Sequence, residues 1–186
     1  MADSFQPSKL GTKEQYTSSW DNVYTEELDN FEEIGDEGEI WFGEESVERM
    51  VDWAVENIPS SSMPFTVEIG SGNGTLLLAL ADADYATSHL SGVDYSPGAV
   101  KLATLIAAQR EKDVTFNTSD ILKEDPPLLP LMKPSSGGVW DLVLDKGTFD
   151  AIALGAKDAN GKSPAAKYPG RIAEILKPGG CFLITC

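Results

Sequence analysis

Basic residues, histidine, cysteine and long apolar runs are all scarce in this chain. Lysine and arginine total 14 against 30 aspartates and glutamates, a formal net charge of −16. That excludes the Lys/Arg-rich face needed to bind a phosphate backbone, so no nucleic-acid partner is expected. It favours a basic protein surface instead, through long-range steering. The single histidine, His89, excludes a histidine-rich metal cluster, and no metal is expected. The two cysteines, Cys181 and Cys186, both fall in the last strand-like run. They form no disulfide framework and fit a reducing, cytoplasmic compartment. No window approaches a membrane span. Residues 1–10 lack the charged-then-apolar pattern of a signal peptide. At 186 residues the chain is long enough for one sizeable core.

What the chain does have is Val67-Glu68-Ile69-Gly70-Ser71-Gly72-Asn73-Gly74, between an apolar run and Thr75-Leu76-Leu77-Leu78. It reads as strand, glycine-rich turn and helix, the pattern of a nucleotide-type cofactor site in a parallel sheet. A dinucleotide fingerprint wants its third glycine one residue later, where this chain has Thr75. Glu68 would also repel a pyrophosphate, whereas it would attract the ammonium and sulfonium of S-adenosylmethionine. A dehydrogenase is therefore disfavoured. Glycines at 70, 72 and 74 let the backbone pass close to a ligand. Asp94, ending the next strand-like run, is placed to accept both ribose hydroxyls.

Alternation along the chain predicts the fold class. Residues 1–11 read as disordered, and 12–63 as an N-terminal helical cap or lid. Within that cap, Trp20 to Phe31 form a helical stripe, and Val47, Met50, Val51, Ala54, Val55 and Ile58 line one face of a second helix. Residues 64–186 read as the core. Strands are expected at 65–69, 89–94, 114–117, 140–144 and 181–185. Helices are expected at 75–83, from Ser96 as N-cap toward Arg110, and at 169–176. This is an α/β, Rossmann-like, mostly parallel sheet with helices on both faces. Glu68, Asp94, Asp120 and Asp145 then lie at or near four strand ends, where such sheets bind ligands. Asp120 is suited to accept an adenine amino group, with the backbone at Ile121 reading the ring edge.

These motifs resemble those of the seven-strand class I S-adenosylmethionine-dependent methyltransferases. Asp145-Lys146-Gly147-Thr148-Phe149-Asp150-Ala151 stands where other members carry an Asn/Asp-Pro-Pro-aromatic motif, and resembles a eukaryotic protein-lysine methyltransferase group. Trp20-Asp21-Asn22-Val23-Tyr24 and the run from Gly35 to Glu44 resemble the cytosolic enzymes that methylate lysine on translation elongation factor 1-alpha. The resemblance implies cofactor roles for Glu68, Gly70, Gly72, Gly74, Asp94 and Asp120. It implies that Asp145 stands where methyl group and acceptor meet, and that Trp41, Phe42, Lys146 and Thr148 border the acceptor channel. For Phe42, packing into the core is the stronger expectation. The acidic segment from Asp21 to Glu56, with fourteen acids and one base, is compatible with a basic protein substrate.

The resemblance also implies two strands beyond the fifth. The chain ends at Cys186, so the fold reads as truncated after its fifth strand, with Phe182, Leu183 and Ile184 on an edge that is bare or covered by another chain. Two other readings stay open: a small-molecule methyltransferase on the same fold, and a non-catalytic protein that binds the cofactor.

Overall fold

The computed structural model describes residues 13–135, 137–155, 157 and 159–185, with side-chain surroundings from residue 20 onward. The expectation of disorder over residues 1–11 lies outside them. Two helices come first, α1 (Lys13–Ile34) and α2 (Gly43–Asn57). Then follow β1 (Thr66–Ile69), α3 (Thr75–Asp82), β2 (Leu90–Asp94), α4 (Pro97–Gln109) and β3 (Thr115–Thr118). The chain closes with β4 (Trp140–Lys146), α5 (Thr148–Ala153), α6 (Tyr168–Ile175) and β5 (Leu176–Thr185).

Among the described residues the strands form one sheet in the order β3-β2-β1-β4-β5, every pair parallel. The chain winds outward from β1 through β2 to β3, then returns to β1's other side for β4 and β5. The reversal opens a crevice at the carboxyl ends of β1 and β4, the position where such sheets bind ligands. β5 forms one edge of the sheet, and Ile184 there is half-exposed.

Strand periodicity divides the core in two. Leu142 and Leu144 of β4 pair beside Thr66 and Glu68 of β1 and face the cluster built from α1 to α4, including Tyr24, Met50, Leu77 and Leu102. Val67, Ile69, Val93 and Val143 face the opposite cluster, which holds Tyr168, Ile172 and Ile175 of α6. Helices thus cover both faces, as the alternation predicts. Helix α1 packs on α4. Lys101 Nζ bonds Glu32 Oε1 at 2.8 Å, and Arg110 pairs with Glu37. Among the described residues no helix is long and apolar enough to cross a membrane.

Several expectations need correction. Val55 is 46% exposed, although Val47, Met50 and Ala54 of the same face are buried. Ser96 occupies the N-cap position of α4, but its hydroxyl makes no capping bond; Asp94 Oδ1 instead accepts the Ser96 N–H at 2.9 Å. The segment after β4 contains α5, whose six residues are too short for a periodic pattern to stand out. β5 begins at Leu176, not Cys181. Pro178-Gly179-Gly180, a turn by composition, is absorbed into the strand where its register against β4 shifts between Trp140 and Leu142. His89 stacks on Phe65 at 4.2 Å and its Nδ1 lies 2.9 Å from the Met63 carbonyl oxygen, which accounts for it structurally.

Candidate functional site

The glycine turn is stitched to the end of β2. The N–H groups of Gly70 and Ser71 both donate to the Val93 carbonyl, at 2.7 and 3.0 Å. Gly72 N–H donates to Asp94 Oδ2 at 3.0 Å. At Gly70 (φ +67) an added Cβ would lie 1.9 Å from Thr148 Oγ1, and at Gly72 (φ +52) 2.6 Å from the Tyr24 hydroxyl. Both the left-handed backbone and the close neighbours therefore require glycine. Gly74 precedes α3. Asn73 between them donates from Nδ2 to the Glu37 carbonyl at 3.0 Å, which ties the turn to the segment leading into α2.

Asp94 is buried, and its two oxygens hold the Gly72 and Ser96 N–H groups. Burial pushes its carboxyl up to about 6, with those two N–H groups pulling the other way. The Tyr95 N–H also pulls it down, and Asp94 borders both cavities.

Two cavities meet here. The larger, about 470 Å³, is bordered by Asp94, Tyr95, Ser119, Asp120, Ile121 and Ile152. The smaller, about 120 Å³, lies between the glycine turn and the N-terminal segment, against Tyr24, Trp41, Phe42, Lys146 and Asp150. Gly70, Asp94, Tyr95, Thr148 and Ala151 border both.

The predicted residues divide accordingly. Gly70, Gly72, Asp94, Asp120, Ile121, Trp41, Phe42, Lys146 and Thr148 all border a cavity. Asp120 Oδ1 also accepts the Leu122 N–H at 3.0 Å, and its Oδ2 lies 2.7 Å from Lys123 Nζ, so it shapes its own turn as well. Phe42 is 51% exposed, which overturns its assignment to the core. Its backbone is in the left-handed region (φ 65), which leaves its ring against Gly147 instead of in the interior.

Two acids stand away from the cavities. Glu68 is buried on the α3 side of β1. Burial pushes its carboxyl up to about 8, opposed by Lys146 and the Leu77 N–H, and its Oε2 has no hydrogen-bond partner among the described residues. Asp145, expected at the meeting point of methyl group and acceptor, is fully buried on the opposite face and borders neither cavity. It accepts the N–H of Thr148 at 2.6 Å, the N–H of Phe149 at 3.0 Å and the hydroxyl of Tyr168 at 2.5 Å. Burial nonetheless pushes its carboxyl up to about 6. Adjacent strand residues point to opposite faces, so Lys146 reaches the smaller cavity while Asp145 holds the turn beneath it.

Sequence reasoning missed three residues. Tyr24 lay in a helical stripe that reads as core, yet its hydroxyl faces the turn. Tyr95 follows Asp94 and borders both cavities. Ser119 precedes Asp120 and borders the larger cavity; its buried hydroxyl has no hydrogen-bond partner among the described residues.

A family model described as a methyltransferase domain matches residues 62–186. Protein-lysine N-methyltransferase efm4 of Schizosaccharomyces pombe is 43% identical over 191 residues, covering 96% of this chain and 75% of that protein. EEF1A lysine methyltransferase 2 of Homo sapiens is 39% identical over 185 residues, covering 98% and 70%. Magnesium protoporphyrin IX methyltransferase from Synechocystis, solved with bound SAM, superposes with a TM-score of 0.58 at 18% identity, over 95% of this chain and 75% of that one, a likeness of fold. The glycine turn, the carboxylate at the end of β2 and the paired cavities sit where that fold opens its crevice, and the chain belongs to the methyltransferase-domain family, among the protein-lysine N-methyltransferases akin to efm4 and EEF1A lysine methyltransferase 2.

Proposed function

We propose that this protein is an S-adenosylmethionine-dependent protein-lysine N-methyltransferase acting in the cytoplasm on translation elongation factor 1-alpha. The observation that carries the reading is the pairing of a larger cavity edged by Asp94 and Ser119 with a small aromatic-walled one, joined at the glycine turn. The larger cavity suits an adenosyl group. Asp94 has acceptor positions for ribose hydroxyls, and Ser119 and Asp120 meet the base beside Ile121. Gly70 and Gly72 let the backbone pass under the methionyl part, whereas Gly74 faces Phe116 in the core and Glu68, raised to about 8 by burial, is mostly uncharged at neutral pH. S-adenosylmethionine supplies an electrophilic methyl group on a sulfonium.

The smaller cavity suits a lysine side chain. An ammonium has no lone pair, so the acceptor must be neutral, although a free lysine titrates near ~10.4. Trp41 and Phe42 strip water from the amine and so disfavour its charged form. Holding amine and methyl group in line accounts for most of the rate. Asp145 serves this by holding the 146–149 turn in place. The acidic surface of α1 and α2 attracts a basic protein at long range.

The test incubates the chain with methyl-labelled cofactor and a cell extract lacking the corresponding enzyme. One labelled protein band of the size of elongation factor 1-alpha, lost with Asp94→Ala, is the expected result. Label recovered only in small molecules would establish the small-molecule reading, and no transfer with cofactor bound would establish the non-catalytic one.

A further inference from the structure

Lys146 and Gly147 hold two consecutive residues of the N-terminal segment. The Lys146 ammonium donates to the Trp41 carbonyl at 3.0 Å, across 105 residues of sequence. At Gly147 (φ +88) a Cβ would lie 2.1 Å from Phe42 Cε2, so the Phe42 ring rests directly on that glycine. Phe42 is itself held in the left-handed region while half its surface faces solvent. A bulky residue keeps such a conformation only where its surroundings impose it. Upstream, the same segment is fastened by other groups. Asn73 holds the Glu37 carbonyl, and Glu27 Oε1 accepts the Glu39 N–H at 3.0 Å. Within residues 40–43, Trp41 packs edge-on against Trp20 at 4.8 Å and Ile40 packs on the core, while Lys146 holds the Trp41 carbonyl and Gly147 takes the Phe42 ring. Burial pushes the Lys146 amine down, opposed by Glu68 on β1 and by Asp145 beside it.

We propose that Lys146 and Gly147 form a latch that fixes Trp41-Phe42 as the outer wall of the smaller cavity, making Lys146 a positioning residue for the acceptor lysine. This rests on the reading that the smaller cavity receives the acceptor. A charge-assisted bond to a backbone carbonyl sets the height of the wall, and the bare glycine surface sets how closely the Phe42 ring can lie. The latch is one residue from Thr148, which borders both cavities and donates to the Ile69 carbonyl at 2.7 Å. The wall is therefore registered against the cofactor side of the site through a single short turn.

Hydrogen exchange on the full chain tests the latch without any acceptor. The Gly43 amide, bonded to the Ile40 carbonyl, lies at the end of the latched segment. In Lys146→Met it should exchange about tenfold faster, while the Glu39 amide, held by Glu27, keeps its rate. Gly147→Ala displaces the same wall through Phe42 and should accelerate Gly43 likewise. Unchanged Gly43 exchange in both variants overturns the latch.

Kinetics then test its purpose. Phe42→Ala and Lys146→Met should each lower kcat/KM for the protein acceptor about tenfold, with cofactor Kd changed less than about twofold, and the double variant should be no worse than Phe42→Ala alone. Additive losses would show that Lys146 acts independently of the wall and overturn the proposal. Wild-type protein that methylates no protein is a failure of the functional reading, and Gly43 exchange still decides the latch.

Discussion

Cofactor affinity should depend on acid through Asp94. Its carboxyl is raised from 3.8 to about 6 because it is buried at the end of β2. Its two oxygens already hold the Gly72 and Ser96 N–H groups, and a proton would take an acceptor position that the ribose hydroxyls need. A proton on Asp94 then competes with the ligand. The penalty factor is 1 + 10^(pKa − pH), about 1.1 at pH 7 and about 11 at pH 5, so Kd should rise about tenfold between them. Titration calorimetry at pH 5, 6 and 7, in two buffers of different ionisation heat, would measure both the affinity and the proton released on binding. Asp94→Asn should bind weakly and without that pH dependence. Losing charge-assisted bonds of about 1.5–3 kcal/mol each implies at least about a hundredfold. Acid does not act here by unfolding through this group. A raised folded-state pKa means that the native protein holds the proton more tightly than the unfolded chain. Its stabilising contribution is present at low pH and is lost as pH rises from 3.8 to about 6. A wild-type Kd that is flat from pH 5 to 7, or no proton release at pH 6, would refute the ribose assignment.

Further outcomes follow from individual contacts. Gly72→Ala forces a left-handed alanine against the Tyr24 hydroxyl and should cost about 1–2 kcal/mol; an unchanged melting temperature would contradict the requirement for glycine. Tyr168→Phe removes a donor from Asp145 and should lower stability by about 1.5–3 kcal/mol in denaturant titrations while leaving cofactor Kd unchanged. Glu68, raised from 4.5 to about 8, should make wild-type stability fall as pH climbs through that interval. In Glu68→Gln the urea midpoint should lose this slope between pH 5 and 9, and a slope that persists would assign it to another group.

Much of the fold is legible because local patterns coincide with global ones. The run through Gly74 needs a strand before it and a helix after it, and the structure supplies β1 and α3 within a residue or two of the expected limits. The misplacements occur where composition and environment disagree. Pro178-Gly179-Gly180 looks like a turn but lies within β5 as the irregularity between Leu176, paired with Trp140, and Cys181, paired with Leu142. α5 is too short to have a period and exists because Asp145 accepts its first N–H groups. Val55 has the right spacing for a core residue, yet α2 presents it to solvent.

The chemistry of the methyl-donor site is largely local. Glycine is needed where φ is positive, and a carboxylate is needed at the end of a strand, and both are properties of single residues in a short pattern. The acceptor side depends on which distant residues the fold brings together. Whether Asp145 or Lys146 faces the smaller cavity depends on strand parity and on what covers each face of the sheet. Tyr168 covers Asp145, whereas Trp41 and Phe42, more than a hundred residues earlier in the chain, come to rest on Lys146 and Gly147. Side-chain alternation makes neighbouring residues face opposite environments. The wall of the acceptor cavity therefore depends on long-range packing that no local pattern encodes.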